Sequence, residues 1–190
     1  TPPTAIAEYR AFYEEQAQPN GSKGHAKTPR RAPKWEEADI HPWHRGSAAI
    51  APLGYQGRYA IRSSASPFEL DIEAASFLLV NRDAKGEMQG EVVYIIPGSP
   101  SHCSECGGQP HFTGTVLVEN LHGELLAAYR YLPDGSVLKY ASQHGAPSHH
   151  AAGAKGLECL TYEIWQKTST DGGATWSEPS LVSSHTECHS

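Results

Sequence analysis

The sequence predicts an α+β fold, with an N-terminal helix packed on a mainly antiparallel β-sheet meander, in a single domain over residues 1–190. Three observations predict it. Apolar residues recur at helical spacing near the N-terminus. Beyond residue 35, alternating segments are punctuated by turn signals about every 10–12 residues. The 18 Gly and 14 Pro supply the many turns such a meander needs.

The elements follow in order. Residues 4–18 predict an amphipathic helix, with Thr4 as its cap and Ile6, Tyr9, Phe12 and Tyr13 on one face. Pro19-Asn20-Gly21 ends it. Residues 20–34 are basic and rich in Gly and Pro, and predict a long loop. A sheet over 35–188 comes next. Trp35–Ile40 predicts a helical turn or strand, and 48–52 and 56–63 predict short strands. Phe77–Arg82, the turn Asp83-Ala84-Lys85-Gly86 and Met88–Ile96 read as a hairpin. His111–Glu119, the turn Asn120-Leu121-His122-Gly123 and Glu124–Leu132 read as another. Pro133-Asp134-Gly135-Ser136 turns into Val137–Tyr140. Residues 141–156 predict a loop, and Leu160–Lys167 with Trp176–Ser183 a closing hairpin.

The net charge of −6 with neutral His argues against a nucleic-acid partner. The basic cluster Lys23, Lys27, Arg30, Arg31 and Lys34 reads as a solvated loop. No run of about 18 apolar residues predicts a membrane span. The chain starts at Thr1-Pro2-Pro3, as a processed chain does, and a lipid anchor upstream of Thr1 is compatible with it. An even cysteine count suits an oxidising compartment.

The order AEYRAFYEEQ, PKWEEADI, FLLVNRDAKGEMQGEVVYIIPG, HFTGTVLVENLHGELLAAYRYLPDGSV and a terminal Cys-Tyr-Trp-Cys segment resembles a group of uncharacterised Bacteroidota secreted proteins and lipoproteins. Their pattern holds a P-x-W-x-x-A entry, a strand ending in I-I-P, and an F-[ST]-G-x-V…L-x-G hairpin. The resemblance covers most of the chain. It implies a secreted or cell-envelope protein at the outer surface, and implies no activity.

Four cysteines, Cys103, Cys106, Cys159 and Cys188, offer the main chemistry. A redox dithiol at Cys103-x-x-Cys106 needs a helix N-terminus to lower a thiol pKa, and Gly107-Gly108-Gln109-Pro110 is a poor helix start. Zinc is the alternative cofactor: Cys103, Cys106, His185 and Cys188 have structural-zinc spacing, with His102, His111 and His189 as spare ligands. Otherwise no cofactor is expected. Two disulfides are the plainer reading, Cys103–Cys106 and Cys159–Cys188. Three pairings are open from sequence. The second would tie the closing hairpin and is worth roughly 3–4 kcal/mol in the loop-entropy model.

Ser169, Asp171, Gly173, Thr175 and Trp176 match the Asp-box pattern S-x-D-x-G-x-T-W. A single copy predicts a hairpin device rather than a propeller: the Asp ties the turn backbone, the Gly supplies a special φ, and the Trp packs beneath. A nucleobase-deaminase reading of Pro100–Cys106 fails, because both H-x-E strings follow the cysteines instead of preceding them. His41, His44, His149 and His150 are further acid–base or metal candidates. Tyr55, Tyr59, Tyr129, Tyr131 and Tyr162 fall on predicted strands, as core residues or as an outward platform.

Three function classes result. The first is a non-enzymatic, disulfide-stabilised extracellular or cell-surface domain for binding, adhesion or assembly. Its partner would be a cell-surface protein, a glycan or another copy of the chain. The second is a structural zinc domain. The third is a hydrolase using His41 or His44 with an unidentified acid.

Overall fold

A computed structural model describes residues 3–17, 29–43, 46–83, 85–98, 111–140, 158–169, 171 and 175–189. The α+β prediction holds. Helix α1 (Pro3–Gln16) opens the chain, with Thr4 inside it rather than at its cap. Strand β1 (Arg31–Pro33), a 3-10 turn (Trp35–Glu37), β2 (Asp39–Trp43), β3 (Gly46–Tyr55) and β4 (Arg58–Ser63) follow. Then come β5 (Glu69–Asp71), the short α2 (Ile72–Ala75), β6 (Ser76–Arg82), β7 (Met88–Pro97) and β8 (Gly114–Asn120). β9 (Leu125–Tyr131), β10 (Val137–Tyr140), β11 (Glu158–Lys167) and β12 (Ser180–His189) complete it. Asp71 caps α2 by accepting a hydrogen bond from the Glu73 amide at 3.0 Å.

The strands form two antiparallel sheets rather than one meander. The larger has eight strands in the order β1-β3-β6-β7-β8-β9-β10, with β2 also on β3. The smaller has the order β12-β11-β4-β5. Short-range turn chemistry sets the large sheet. Asp83 Oδ1 accepts from the amides of Lys85 and Glu87, and Asn120 Oδ1 from those of His122 and Glu124. Gly86 and Gly123 take the left-handed φ these turns require, +85° and +83°.

One core joins both sheets and both helices. Ala51, Leu53, Leu78, Val80, Val92, Tyr94, Ile96, Leu117 and Tyr140 of the large sheet meet Ile61, Leu160, Tyr162 and Ile164 of the small one. Tyr9 of α1 and Ile72 of α2 belong to the same cluster. The Tyr9 hydroxyl donates to the Ser47 carbonyl at 2.9 Å, which fixes the helix to β3. On the opposite face of the large sheet, Ala48, Leu79 and Val93 pack with Trp43, Ile50, Phe77 and Val116.

Two expectations are corrected. Part of the predicted basic loop, Arg31–Pro33, is a strand, and the Arg31 side chain is buried rather than solvated. The closing strand runs 180–189 instead of 176–183, because its polar residues pair with β11 along an exposed edge. That shift sets Cys188 directly opposite Cys159. Among the described residues, no helix is long and apolar enough to cross a membrane.

Candidate functional site

Cys159 and Cys188 form a disulfide between β11 and β12, with Cα atoms 4.0 Å apart. Cys103, Cys106, His102, Gly173, His44, His149 and His150 lie outside the described residues. Of the proposed zinc set, only His185 and Cys188 lie among the described residues. The Cys188 sulfur is already bonded to Cys159. His185 stands three residues from Cys188 on the same strand, and strand alternation turns the two side chains to opposite faces. Its imidazole stacks instead on the buried Tyr162 ring, with centroids 4.9 Å apart. No group of three or more His, Cys, Asp or Glu side chains positioned for a metal ion occurs among the described residues. The two ring nitrogens of His111, one of the spare ligands, are shielded and have no hydrogen-bond partner among the described residues. His41 is exposed on β2.

The core holds a polar cluster that the sequence reading missed. Arg31 reaches from β1 to donate to the Tyr94 hydroxyl at 2.7 Å, Glu119 at 3.0 Å and the Asn120 carbonyl at 3.4 Å. Tyr94 donates to the same Glu119 oxygen at 3.1 Å. Next to it, Tyr55 and Ser76 share a hydrogen bond of 2.9 Å. The Arg31 and Glu119 side chains are only 7% and 5% exposed, so this is a sealed ion pair. Burial opposes the Arg31 charge, but Tyr94, Glu119 and Tyr55 outweigh it and hold the guanidinium above its ordinary pKa. Burial, with Glu119 alongside, pushes the Tyr94 hydroxyl well up. One sequence signal pointed here: Glu119 keeps the two-residue phase of Thr115 and Leu117, both fully buried. Sealed from solvent, the cluster anchors β1 and offers nothing to a ligand.

The accessible chemistry lies on the outer face of the small sheet. Tyr59, Ile61, Tyr162 and Ile164 turn inward, so Arg58, Arg62, Glu163, Trp165 and Lys167 turn outward. Trp165 lies opposite Ala60 and leaves it 5% exposed. The Arg62 guanidinium sits over the Trp165 ring at 5.1 Å, and the Trp165 indole donates to Glu163 at 3.0 Å. Arg62 pairs with Glu69, which also accepts from Lys167 at 2.9 Å. These contacts hold the Glu69 carboxyl below its usual pKa, Lys167 contributing most.

The Asp-box turn borders this face. The Asp171 carboxylate accepts from Ser169 Oγ at 2.8 Å, from the Thr175 amide at 2.9 Å and from Thr175 Oγ1. Thr175, through hydroxyl and amide, and then Ser169 hold Asp171 below the ordinary carboxylate range. The turn is tied as expected, but its tryptophan is not tucked beneath. Trp176 precedes the strand that starts at Ser180, is 41% exposed, and carries the Arg58 guanidinium 5.0 Å above its ring. Arg58, Gln166, Lys167, Ser169 and Trp176 line a cavity of about 570 Å3. A second cavity, of about 490 Å3, lies toward the other end of the sheet, beside Arg62, Ser66, Phe68 and Glu163. Phe68 and Leu181 add exposed apolar surface, at 43% and 49%. Tyr59 and Tyr162 fill the core, while Tyr55, Tyr129 and Tyr131 are half-buried.

Comparison of the chain with protein-family models, with curated proteins and with solved structures gives no match.

Proposed function

We propose that the protein is a non-enzymatic extracellular or cell-surface domain for binding, adhesion or assembly, stabilised by disulfide bonding. Its contact surface is the outer face of the small sheet. The observation that carries this reading is the exposed Trp176, stacked with Arg58 beside a cavity. Trp and Arg dominate the energetic centres of binding surfaces, because each combines a large contact area with directional polar contact. The resemblance to exported Bacteroidota proteins and the Cys159–Cys188 bridge support a secreted or envelope location.

The test is attachment of the purified chain to whole cells and to a glycan array. Trp176→Ala is compared with a control on the large sheet, Val116→Ala. Loss of attachment in Trp176→Ala alone supports the surface. Equal attachment by both variants refutes it. Size-exclusion chromatography and electron microscopy of the same samples report assembly.

A further inference from the structure

We propose that the cavity beside Trp176 binds a carboxylate-bearing saccharide. The inference rests on the contact surface assigned above and adds its ligand class. At about 570 Å3, the cavity falls within the roughly 300–1,000 Å3 range of small-ligand sites. Its wall combines an indole ring, two cations, an amide and hydroxyl groups: Trp176, Arg58, Lys167, Gln166, Thr168 and Ser169. Among the described residues, no acidic side chain lines it. An indole offers a flat apolar surface to the C–H face of a pyranose. Ser169 and Thr168 give their hydroxyl protons to Asp171 and Ser177, so their oxygens match sugar hydroxyls as acceptors, and the Gln166 amide, which also donates to Tyr59, matches them through its carbonyl oxygen. That mixture suits a sugar better than an apolar peptide anchor, which needs a deep hydrophobic pocket.

The two cations set the charge of the ligand. Arg58 is held in place by stacking on Trp176 at 5.0 Å. Its nearest carboxylate among the described residues, Asp71, stands 3.8 Å away, beyond hydrogen-bond reach. The Arg58 side chain is 56% exposed, so its donors are accessible from solvent. Lys167 shares Glu69 with Arg62. Swinging Lys167 toward a ligand therefore leaves Glu69 paired. An incoming carboxylate meets one pre-oriented guanidinium and one releasable ammonium, and displaces no buried charge. The net charge of −6 opposes long-range attraction of an anion, so recognition is local and weakens with salt.

The experiment is isothermal titration of the full chain with a short oligogalacturonide. The controls are its carboxyl-reduced, neutral counterpart and poly-glutamate. The oligogalacturonide is expected to bind, with the neutral counterpart about tenfold weaker or more, a difference of 1.4 kcal/mol. Arg58→Ala and Trp176→Ala are each expected to weaken binding by a similar factor, with melting curves confirming that both variants fold. Arg58→Lys keeps the charge but loses the planar stack, and is expected to fall between. Equal binding of the neutral sugar, or equal or tighter binding of poly-glutamate, overturns the proposal. So does the absence of oligogalacturonide binding. If binding is absent while Trp176→Ala still abolishes cell attachment, the ligand class is wrong and the surface assignment stands. If Trp176→Ala leaves attachment intact, the surface assignment itself fails.

Discussion

Replacing Arg31 with Met tests whether a buried ion pair fastens β1 to the core. The substitution keeps much of the aliphatic stem and removes three donated hydrogen bonds, to Tyr94, Glu119 and the Asn120 carbonyl. Glu119 then keeps one donor in this cluster, the Tyr94 hydroxyl at 3.1 Å, in a position with 5% side-chain exposure. A carboxylate left in such a place without its cation costs about 3–5 kcal/mol. For a chain of this length, about 2–4 °C accompanies each kcal/mol, so the melting temperature is expected to fall by about 6–20 °C. Urea unfolding followed by circular dichroism measures the loss directly. The companion double variant, Arg31→Met with Glu119→Leu, removes both charges and is expected to recover most of it, because the pair's own desolvation cost disappears. A loss below about 1 kcal/mol in the single variant would refute the reasoning. So would a double variant as unstable as the sum of the two singles.

Other consequences are as open to measurement. Gly114 has φ +143°, and a Cβ there would overlap the Ile96 carbonyl and come within 2.7 Å of the Gly98 amide. Gly114→Ala is expected to cost about 2–6 kcal/mol in urea unfolding. Tyr162 is buried with a hydroxyl that has no hydrogen-bond partner among the described residues, so Tyr162→Phe is expected to be neutral or stabilising by up to about 1 kcal/mol; clear destabilisation would reveal a partner. Replacing Cys159 and Cys188 together with Ser is expected to cost roughly 3–4 kcal/mol, read as a fall in melting temperature of about 6–16 °C. Asp171 has a depressed folded pKa, so its contribution is complete above the unfolded value of about 3.9 and is lost as pH falls toward the lower folded value. The gap in melting temperature between wild type and Asp171→Asn is therefore expected to be present at neutral pH and to shrink below about pH 4.

The legible parts of the fold were those written in short-range chemistry. Helix α1 followed from the spacing of Tyr9 and its neighbours, and the hairpins at Asp83–Gly86 and Asn120–Gly123 followed from turn residues whose bonds are observed. The division into two sheets was not legible. β4 pairs with β11 across most of the chain, and no local pattern encodes so distant a partner. Arg31 was misread because its neighbourhood is polar and Pro-rich, while its burial depends on Tyr94 and Glu119, far along the chain. The candidate site was half legible. The Asp-box turn was recognised from its residues, but the stacking of Arg58 on Trp176 joins positions far apart in the chain, which the sequence does not connect.

The topology of the small sheet also sets an order of assembly. Strands β6 to β10 join nearest neighbours along the chain, so the body of the large sheet closes through local connections, the longest being the 16 residues between β7 and β8. The small sheet cannot. Ile61 pairs with Ile164, 103 positions later, so its centre forms only when the first and last thirds of the chain meet. During synthesis, the apolar face that carries Leu78, Val92 and Leu117 therefore exists before β11 is available to cover it. Helix α1, synthesised ahead of both sheets and fixed through Tyr9, shields part of that face in the interval. The Cys159–Cys188 bridge joins two neighbouring strands and does nothing to shorten the long closure. The vulnerable species is thus a half-clad sheet awaiting its second layer, and the late pairing of β4 with β11 sets how long it lasts.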